Sequence, residues 1–265
     1  MQSKLMLAAA AAAVLGAGGV AIAAPGHAAP HAASQAKAAG YITEAVSDKA
    51  RPEADVKRDA ERKPAAMLQF AGVKPGMTVV ELIPGGGYFT RIFSKAVGPK
   101  GAVYAVYPPP RASSDPAKPA PTPAIETIAA EAAYANVKPV KASPADFTVP
   151  AKADVVWTSQ NYHDLHNIPN LDMVKFNKAV YDALKPGGVY VVLDHRAAPG
   201  DPEVTHTLHR IDPAVVKKEV EAAGFRYVGE SDALANPADD HTKKVFDPAI
   251  RGHTDQFVLK FRKPA

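Results

Sequence analysis

A cluster of glycines that follows an acidic residue is the segment of this sequence best suited to hold a ligand. Glu81 ends an apolar run, and Gly85, Gly86 and Gly87 come soon after it. Glycine has no Cβ to clash with a ligand and tolerates positive φ. Tyr88 then opens a helical pattern whose first backbone N–H groups have no partner within the helix. No Gly-Lys-Ser/Thr follows, so the segment is not a phosphate loop.

A second polar segment, residues 160–166, contains two histidines and an aspartate directly after an apolar run. His163 is a candidate general base, and Asp164 is a candidate to orient its ring or to contact directly the substrate that gives up the proton. The alternative is that both residues only cap the next loop. His163 and His166 also have a spacing that suits a metal site on a helix. However, Pro169 indicates a loop and no carboxylate set completes the ligands, so no metal site is predicted.

Further histidines and arginines are predicted to fall at the same edge of the fold. His195 and Arg196 follow an apolar run, and His209 and Arg210 precede a helix start. Either pair could line a pocket, and the alternative for each is an ordinary surface position. The long segment 236–254 could form a lid or a substrate wall, or it could be a solvated excursion.

Alternating apolar runs and helical patterns are the elements that must position these residues. Five continuous apolar runs separated by helices indicate a parallel sheet covered on both faces. Two final runs alternate apolar with polar residues and indicate an antiparallel closing pair. The predicted fold is α/β, a doubly wound seven-stranded sheet that is mostly parallel with an antiparallel final strand and helices on both faces. Strands are predicted at residues 77–82, 101–106, 137–141, 153–158, 189–194, 225–230 and 256–262.

The helices are predicted from apolar spacing and from their start and stop residues. The charged stretch 41–63 is expected to be a solvated helix, and a second helix begins at Pro64 and stops before Gly72. Asp212 and the proline after it are a good helix start. The remaining helices are predicted at residues 88–97, 124–135 and 171–184.

The N-terminal residues 1–23 have the form of a secretory signal peptide. Lys4 supplies a positive charge, residues 5–20 are apolar, and small residues precede a cleavage point after Ala23, with cleavage after Ala28 as a second option. The apolar run is short and alanine-rich for a span, which needs about 20 apolar residues. An uncleaved anchor and a merely alanine-rich tail are the alternatives. The prediction is an exported, periplasmic protein with no stable membrane span after cleavage.

Composition limits the remaining possibilities. Residues 24–40 are low-complexity and are predicted to be a disordered linker, followed by one domain over residues 41–265. The chain has no cysteine, which excludes disulfides, thiol nucleophiles and cysteine-ligated zinc. The net charge of +4 is mild and basic residues alternate with acids, so no nucleic-acid partner is predicted. Nothing in the sequence indicates an oligomeric state.

The spacing of the glycine segment resembles that of the class I, S-adenosylmethionine-dependent methyltransferases. The pattern acid-x-Gly-x-Gly-x-Gly falls on Glu81, Ile83, Gly85 and Gly87. The flanking segments GVKPGMTVVEL and YFTRIFSKAVGPKGAVYAV, and the KPGG before the fifth predicted strand, are also typical of that superfamily. The resemblance covers about residues 50–262. Within the superfamily the chain is similar to a group of predicted exported bacterial methyltransferases that share the segment RDAERKP.

The resemblance implies S-adenosylmethionine as the cofactor and a small-molecule acceptor. It implies that Glu81 orients the glycine loop or reaches the ammonium group of the cofactor. Asp146 and Phe147 take the position that contacts adenine, and Gln160 and Asn161 lie where the sulfonium and the acceptor meet. The full set of implied cofactor-binding residues is Glu81, Gly85, Gly86, Gly87, Tyr88, Tyr107, Asp146, Phe147, Gln160 and Asn161.

Two positions depart from the family pattern. Ile83 replaces its first glycine, and a branched side chain there restricts backbone and space. Tyr107 stands where the family offers an acid to the ribose. A charged acceptor contributes about 1.5–3 kcal/mol and a neutral hydroxyl about 0.5–1.5 kcal/mol. The tyrosine in place of the acid is therefore expected to weaken the binding of the cofactor roughly tenfold. The alternative function that follows is a non-catalytic, exported ligand-binding protein on the same fold.

Overall fold

A computed structural model describes residues 39–109, 120–144, 146–200 and 203–265. The predicted signal peptide, residues 1–23, and residues 24–38 of the predicted linker lie outside the described residues. No helix in the part of the chain that the structure describes is long and apolar enough to cross a membrane.

One sheet of seven strands forms the centre of the domain, and it confirms the predicted fold. The strand order is β3-β2-β1-β4-β5-β7-β6. Strands β1 to β5 pair in parallel, and β7 pairs antiparallel with both of its neighbours. The strands are β1 Thr78–Leu82, β2 Ala102–Tyr107, β3 Val137–Lys141, β4 Ala153–Ser159, β5 Leu184–His195, β6 Arg226–Ser231 and β7 Gln256–Arg262.

Strand β7 is buried along most of its length, although its alternating sequence predicts a half-buried strand. It lies between β5 and β6, and only Lys260 and Arg262 are partly or fully exposed. Strand β6 takes the edge instead and is the more exposed of the two. The alternation of apolar and polar residues correctly predicts a strand. It does not predict whether the strand is central or at an edge, because that depends on contacts with distant segments.

The N-terminal charged stretch forms three short helices rather than the single helix predicted over residues 41–63. Pro52 precedes the second of them, and Lys63 takes a left-handed φ of 42° that separates the third from the next. Arg51 is buried and donates to the carboxylate of Asp59 at 2.6 and 2.8 Å. The charged side chains of this stretch are therefore not all exposed to water, because the pair of Arg51 and Asp59 holds its short helices together. These helices are α1 Gly40–Val46, α2 Glu53–Val56 and α3 Asp59–Arg62, followed by α4 Pro64–Ala71.

Four of the remaining helices lie close to the predicted ranges. Two short ones, Tyr162–Leu165 and Val204–Thr207, were not predicted, and the first of them lies in a stretch that was interpreted as a loop. Asp172 caps one of them and Asp212 caps another, each through its side chain. The predicted helix over residues 124–135 ends early and continues as a single 3₁₀ turn. In chain order they are α5 Tyr88–Val97, α6 Ala124–Ala130, α7 Tyr162–Leu165, α8 Met173–Ala183, α9 Val204–Thr207 and α10 Pro213–Ala222.

The core contact between α5 and β4 positions the glycine segment. Trp157 on β4 is fully buried, and its ring lies 4.8 Å from that of Phe89 and 5.6 Å from that of Phe93, measured between centroids. Aromatic rings in this edge-to-face arrangement add stability beyond the area they bury. Helix α5 is therefore held over the sheet with its N-terminus at the carboxyl end of β1.

Candidate functional site

The loop after β1 turns through left-handed backbone conformations. Ile83, Gly85 and Gly87 have φ of 51°, 57° and 80°. A non-glycine residue in this region costs about 1–2 kcal/mol, but the backbone N–H of Ile83 donates to Val106 at 2.8 Å and its side chain packs against the core. The loop therefore makes its turn with isoleucine where the family pattern has glycine.

Gly87 lies against α6 in a left-handed conformation. A Cβ at this position would lie 2.2 Å from the Cδ1 atom of Ile128, the end of a flexible side chain, which would have to shift to make room. Gly85 has no atom within 4 Å of such a Cβ, so only its positive φ restricts it. The two glycines thus differ in their surroundings, and the first of them faces open space.

A cavity of about 370 Å³ lies at the carboxyl edge of the sheet, beside this loop. Small-molecule sites in proteins typically measure about 300–1,000 Å³. Helices α2 and α3 and the ends of β1 and β4 contribute its other walls. The predicted site residues that line it are Glu81, Gly85, Gly86, Tyr88, Gln160, Asn161 and Asp164.

Glu81 places a buried carboxyl group in this cavity. Thr90 on α5 donates to its Oε2 at 2.5 Å. Burial raises the pKa of Glu81 to about 8, against the effects of the Thr90 hydrogen bond and of the positive charge of Arg62. The carboxyl group is therefore poised between its neutral and charged forms near neutral pH, and a cationic ligand group would favour the charged form.

Arg62, a residue that was not predicted to belong to the site, lines the same cavity from α3. Its guanidinium lies 4.5 Å from the ring centroid of Tyr88 and 4.8 Å from that of Phe89, and it donates to Ser159 at 2.8 Å. Burial and the nearby Arg58 lower the pKa of Arg62 to about 10, so it stays charged at neutral pH. Arg62 belongs to the RDAERKP segment, which could have indicated a site residue but was interpreted as part of a solvated helix.

Asn161 joins the ends of two strands. Its amide donates to the carbonyl oxygens of Leu82, Ile83 and Ser159 at 3.3, 3.2 and 3.1 Å. Gln160 beside it has a left-handed φ of 59° and donates to the side chain of Gln256 at 2.8 Å. Both residues line the cavity, and Asn161 in addition holds the glycine loop against β4.

Tyr107 donates a hydrogen bond to the carboxylate of Glu126 on α6. Burial and this carboxylate raise the pKa of the Tyr107 hydroxyl to about 12. An acid is thus present near the end of β2, supplied by a helix rather than by the strand.

Asp146 is exposed and Phe147 is buried, and both line a separate cavity of about 350 Å³. The structure does not bring these last two residues into the wall of the 370 Å³ cavity.

His163 lies behind the cavity wall, held by carboxylates on both ring nitrogens. Its Nδ1 lies 2.7 Å from Oδ1 of Asp194, and its Nε2 lies 3.3 Å from Oδ1 of Asp164. Burial alone would lower the pKa of His163, but the two carboxylates raise it to about 10. The Nδ1 atom of His209 lies 3.3 Å from the same Oδ1 atom of Asp164. His166 contacts Glu219 at 3.2 Å and takes no part in this cluster.

A smaller cavity of about 150 Å³ adjoins the first, and the two share Arg58, Arg62 and Gln160 in their walls. His195 lines it, with Nδ1 2.7 Å from the hydroxyl of Thr254. Burial lowers the pKa of His195 to about 4, although Asp194 opposes this, so the ring is neutral at neutral pH. The other residues of this wall are Glu61, Val245, Phe246, Arg251, Gly252, Thr254 and Gln256.

Residues of segment 236–254 form one wall of the small cavity. Arg210 is fully buried and binds Asp239 of this segment at 2.8 and 3.0 Å. Arg210 therefore anchors the wall rather than lining a pocket. Arg196 pairs with Glu230 at 2.6 Å at the same edge.

Comparison with known proteins shows which solved structures share the fold of this chain. No family model and no curated protein matches the chain. Among solved structures, a SAM dependent methyltransferase from Aquifex aeolicus matches with a TM-score of 0.53 and 19% identity, over 79% of this chain and 95% of that one. The methyltransferase CcbJ from Streptomyces caelestis matches with a TM-score of 0.51 and 18% identity, over 78% and 90%.

The cyclase SpnF matches equally well, with a TM-score of 0.53 and 17% identity over 78% of this chain and 82% of that one. These likenesses show that the chain has the class I methyltransferase fold. They also show that the fold serves more than one reaction, so the function has to be argued from the site itself.

Proposed function

We propose that this protein is an S-adenosylmethionine-dependent methyltransferase that acts on a small-molecule acceptor. The observation that supports it most is that Glu81 and Arg62 line one cavity beside the glycine loop. The methionine part of the cofactor carries an ammonium and a carboxylate, and these two side chains are their chemical complements. The cofactor supplies the activated methyl group, and the residues of the chain bind and orient it.

The remaining cofactor residues extend along the sheet edge in this proposal. Gly85, Gly86 and Tyr88 form the loop wall beside the methionine part. Tyr107 and its partner Glu126 replace the strand acid that the family offers to the ribose. Asp146 and Phe147 line a separate cavity, so their role at the adenine stays a prediction from the sequence.

The small cavity is the proposed place of the acceptor. It shares Gln160 with the larger cavity, so the two ligands would meet at this residue. Arg58 and Arg251 in its wall favour a polar acceptor with an anionic group, and Glu61 adds a carboxylate for a donor group. In-line transfer depends mainly on such positioning.

Two histidines are candidates for the base that takes a proton from the acceptor. His163 was predicted for this role with Asp164, and that role stays a prediction. His195 is the candidate that we favour, because it lines the acceptor cavity while the ring of His163 lies between two carboxylates behind it. Asp164 lines the cofactor cavity and positions His163 and His209.

Transfer of a labelled methyl group from S-adenosylmethionine to a panel of small carboxylic acids, amines and phenols tests the proposal. We expect transfer by the native chain and its loss in Gly85→Val, because valine is strained at a φ of 57°. Gly72→Val is the matched control, since Gly72 has a φ of 76° and lies at the end of α4, outside the cavity. Cofactor binding with no transfer to any member of the panel would instead support the non-catalytic binding protein.

We also propose that the protein is exported, within the group of exported bacterial proteins that the sequence resembles. The support is the pattern of residues 1–23, with its basic start, apolar run and small residues before the cleavage point.

A further inference from the structure

Three side chains of metal-ligating type meet beside the cofactor cavity. The Oδ1 atom of Asp164 lies 3.3 Å from Nε2 of His163 and 3.3 Å from Nδ1 of His209, and all the ligand atoms lie within 4.8 Å of one another. Metal–ligand bonds of about 2.0–2.2 Å place the ligand atoms of one ion roughly 3–4 Å apart. The three atoms are thus nearly at the spacing that one ion requires.

The ring of His163 is oriented from behind, as the imidazoles of metal sites usually are. Its Nδ1 lies 2.7 Å from Oδ1 of Asp194, and its backbone N–H donates to Oδ2 of the same residue at 2.9 Å. Asp194 is fully buried. A carboxylate on one ring nitrogen orients the ring of a metal-binding histidine, and the other nitrogen, which faces Asp164 at 3.3 Å, would give up its proton to the solvent when the ion binds.

His209 is held in place by its surroundings. It has a left-handed φ of 56°, and its ring packs edge-on against Phe246 at 4.9 Å between centroids. A non-glycine residue keeps such a conformation only when the surrounding structure determines it. His209 is therefore fixed beside Asp164 by the fold.

We propose that His163, Asp164 and His209 bind one divalent transition-metal ion, with zinc as the reference ion. Two imidazoles and one carboxylate are a ligand set that zinc accepts, and three protein ligands leave a coordination position open. Because Asp164 also lines the cofactor cavity, the ion would lie at the border of that cavity. The two negative charges of Asp164 and Asp194 would be balanced by the ion.

This site differs from the pair considered from sequence, His163 with His166. The fold turns His166 toward Glu219 and brings His209 in from a later part of the chain. Metal binding does not require a methyl donor, so it stands independently of the proposed function.

Titration of the mature protein with Zn²⁺ after treatment with a chelator tests the proposal, at about pH 8 where fewer protons compete for imidazole. We expect one ion per chain, and Co²⁺ in place of Zn²⁺ should give visible absorption bands. His209→Ala should lower the affinity at least tenfold, and Asp194→Asn should lower it roughly 10–100-fold. His206→Ala is the matched control, because His206 is exposed on the neighbouring helix α9.

Two results would overturn the proposal. One is the absence of Zn²⁺ binding by the native chain, and the other is binding that His209→Ala leaves unchanged. The circular dichroism of each variant, compared with that of the native chain, separates loss of a ligand from loss of the fold. Cofactor binding by a chain that binds no metal would overturn the metal site alone, and the reverse result would overturn the proposed function alone.

Discussion

At the scale of single residues, Glu81 links the ligand site to the stability of the fold. Its pKa is raised by burial from an ordinary value of 4.5 to about 8, so the folded chain favours the neutral carboxyl group. The contribution of this pKa shift to the free energy of unfolding is fully present below pH 4.5 and is lost as the pH rises through 8. Urea unfolding should therefore show a free energy that falls between pH 5 and pH 9. Glu81→Gln, which is neutral throughout, should reduce this fall, and an unchanged pH dependence would contradict the account.

The choice between the two histidines is also a residue-scale question. We expect His195→Asn to lower the rate of methyl transfer by about 10²–10⁴, the usual contribution of a general base, and to leave the cofactor affinity unchanged. Transfer kinetics and a cofactor titration of the same variant measure the two quantities. A variant that transfers the methyl group at the native rate would exclude His195 as the base.

The sequence carries only part of this site. Glu81, Gly85 and Gly86 could be predicted, because spacing within one loop is a local property. Arg62 was not identified and His209 was only one of several candidates, since their roles arise from contacts with distant segments. A charged helix that lines a cavity can have the same composition as one exposed to water, so composition alone does not distinguish them.

At the scale of elements, the wall formed by segment 236–254 depends on one buried ion pair. Removing one partner of a buried pair leaves an uncompensated charge and costs about 3–5 kcal/mol. We expect Arg210→Met to lower the free energy of unfolding by this amount and to increase hydrogen exchange in the segment, because Asp239 would lose its partner. Lys217→Met is the control, since its pair with Glu230 is partly exposed and should contribute less than about 1 kcal/mol. Equal effects of the two substitutions would contradict this account.

The elements themselves were largely predictable. The alternation of apolar runs and helices predicted seven strands and the antiparallel end correctly, because period and length are local signals. The burial of β7 and the division of residues 41–63 into three helices were not predicted. Both depend on tertiary contacts, namely the insertion of β7 between β5 and β6 and the pairing of Arg51 with Asp59.

At the scale of the whole molecule, the place of the proposed reaction depends on the proposed signal peptide. N-terminal sequencing of the protein from the extracytoplasmic fraction should give a chain that begins at Ala24, or at Ala29 if the second cleavage point is used. The basic start and apolar run of residues 1–23 are the physical reason for this expectation. Recovery of a chain that still begins at Met1 would contradict the predicted signal peptide.

The central claim concerns the whole domain, which presents Glu81 and Arg62 to one ligand in a cavity of about 370 Å³. Calorimetric titration of the mature protein with S-adenosylmethionine tests it most directly. The account predicts saturable binding of one cofactor molecule per chain, weakened in Arg62→Met because the carboxylate partner is lost. No binding of the cofactor at millimolar concentration by the folded native protein would contradict it.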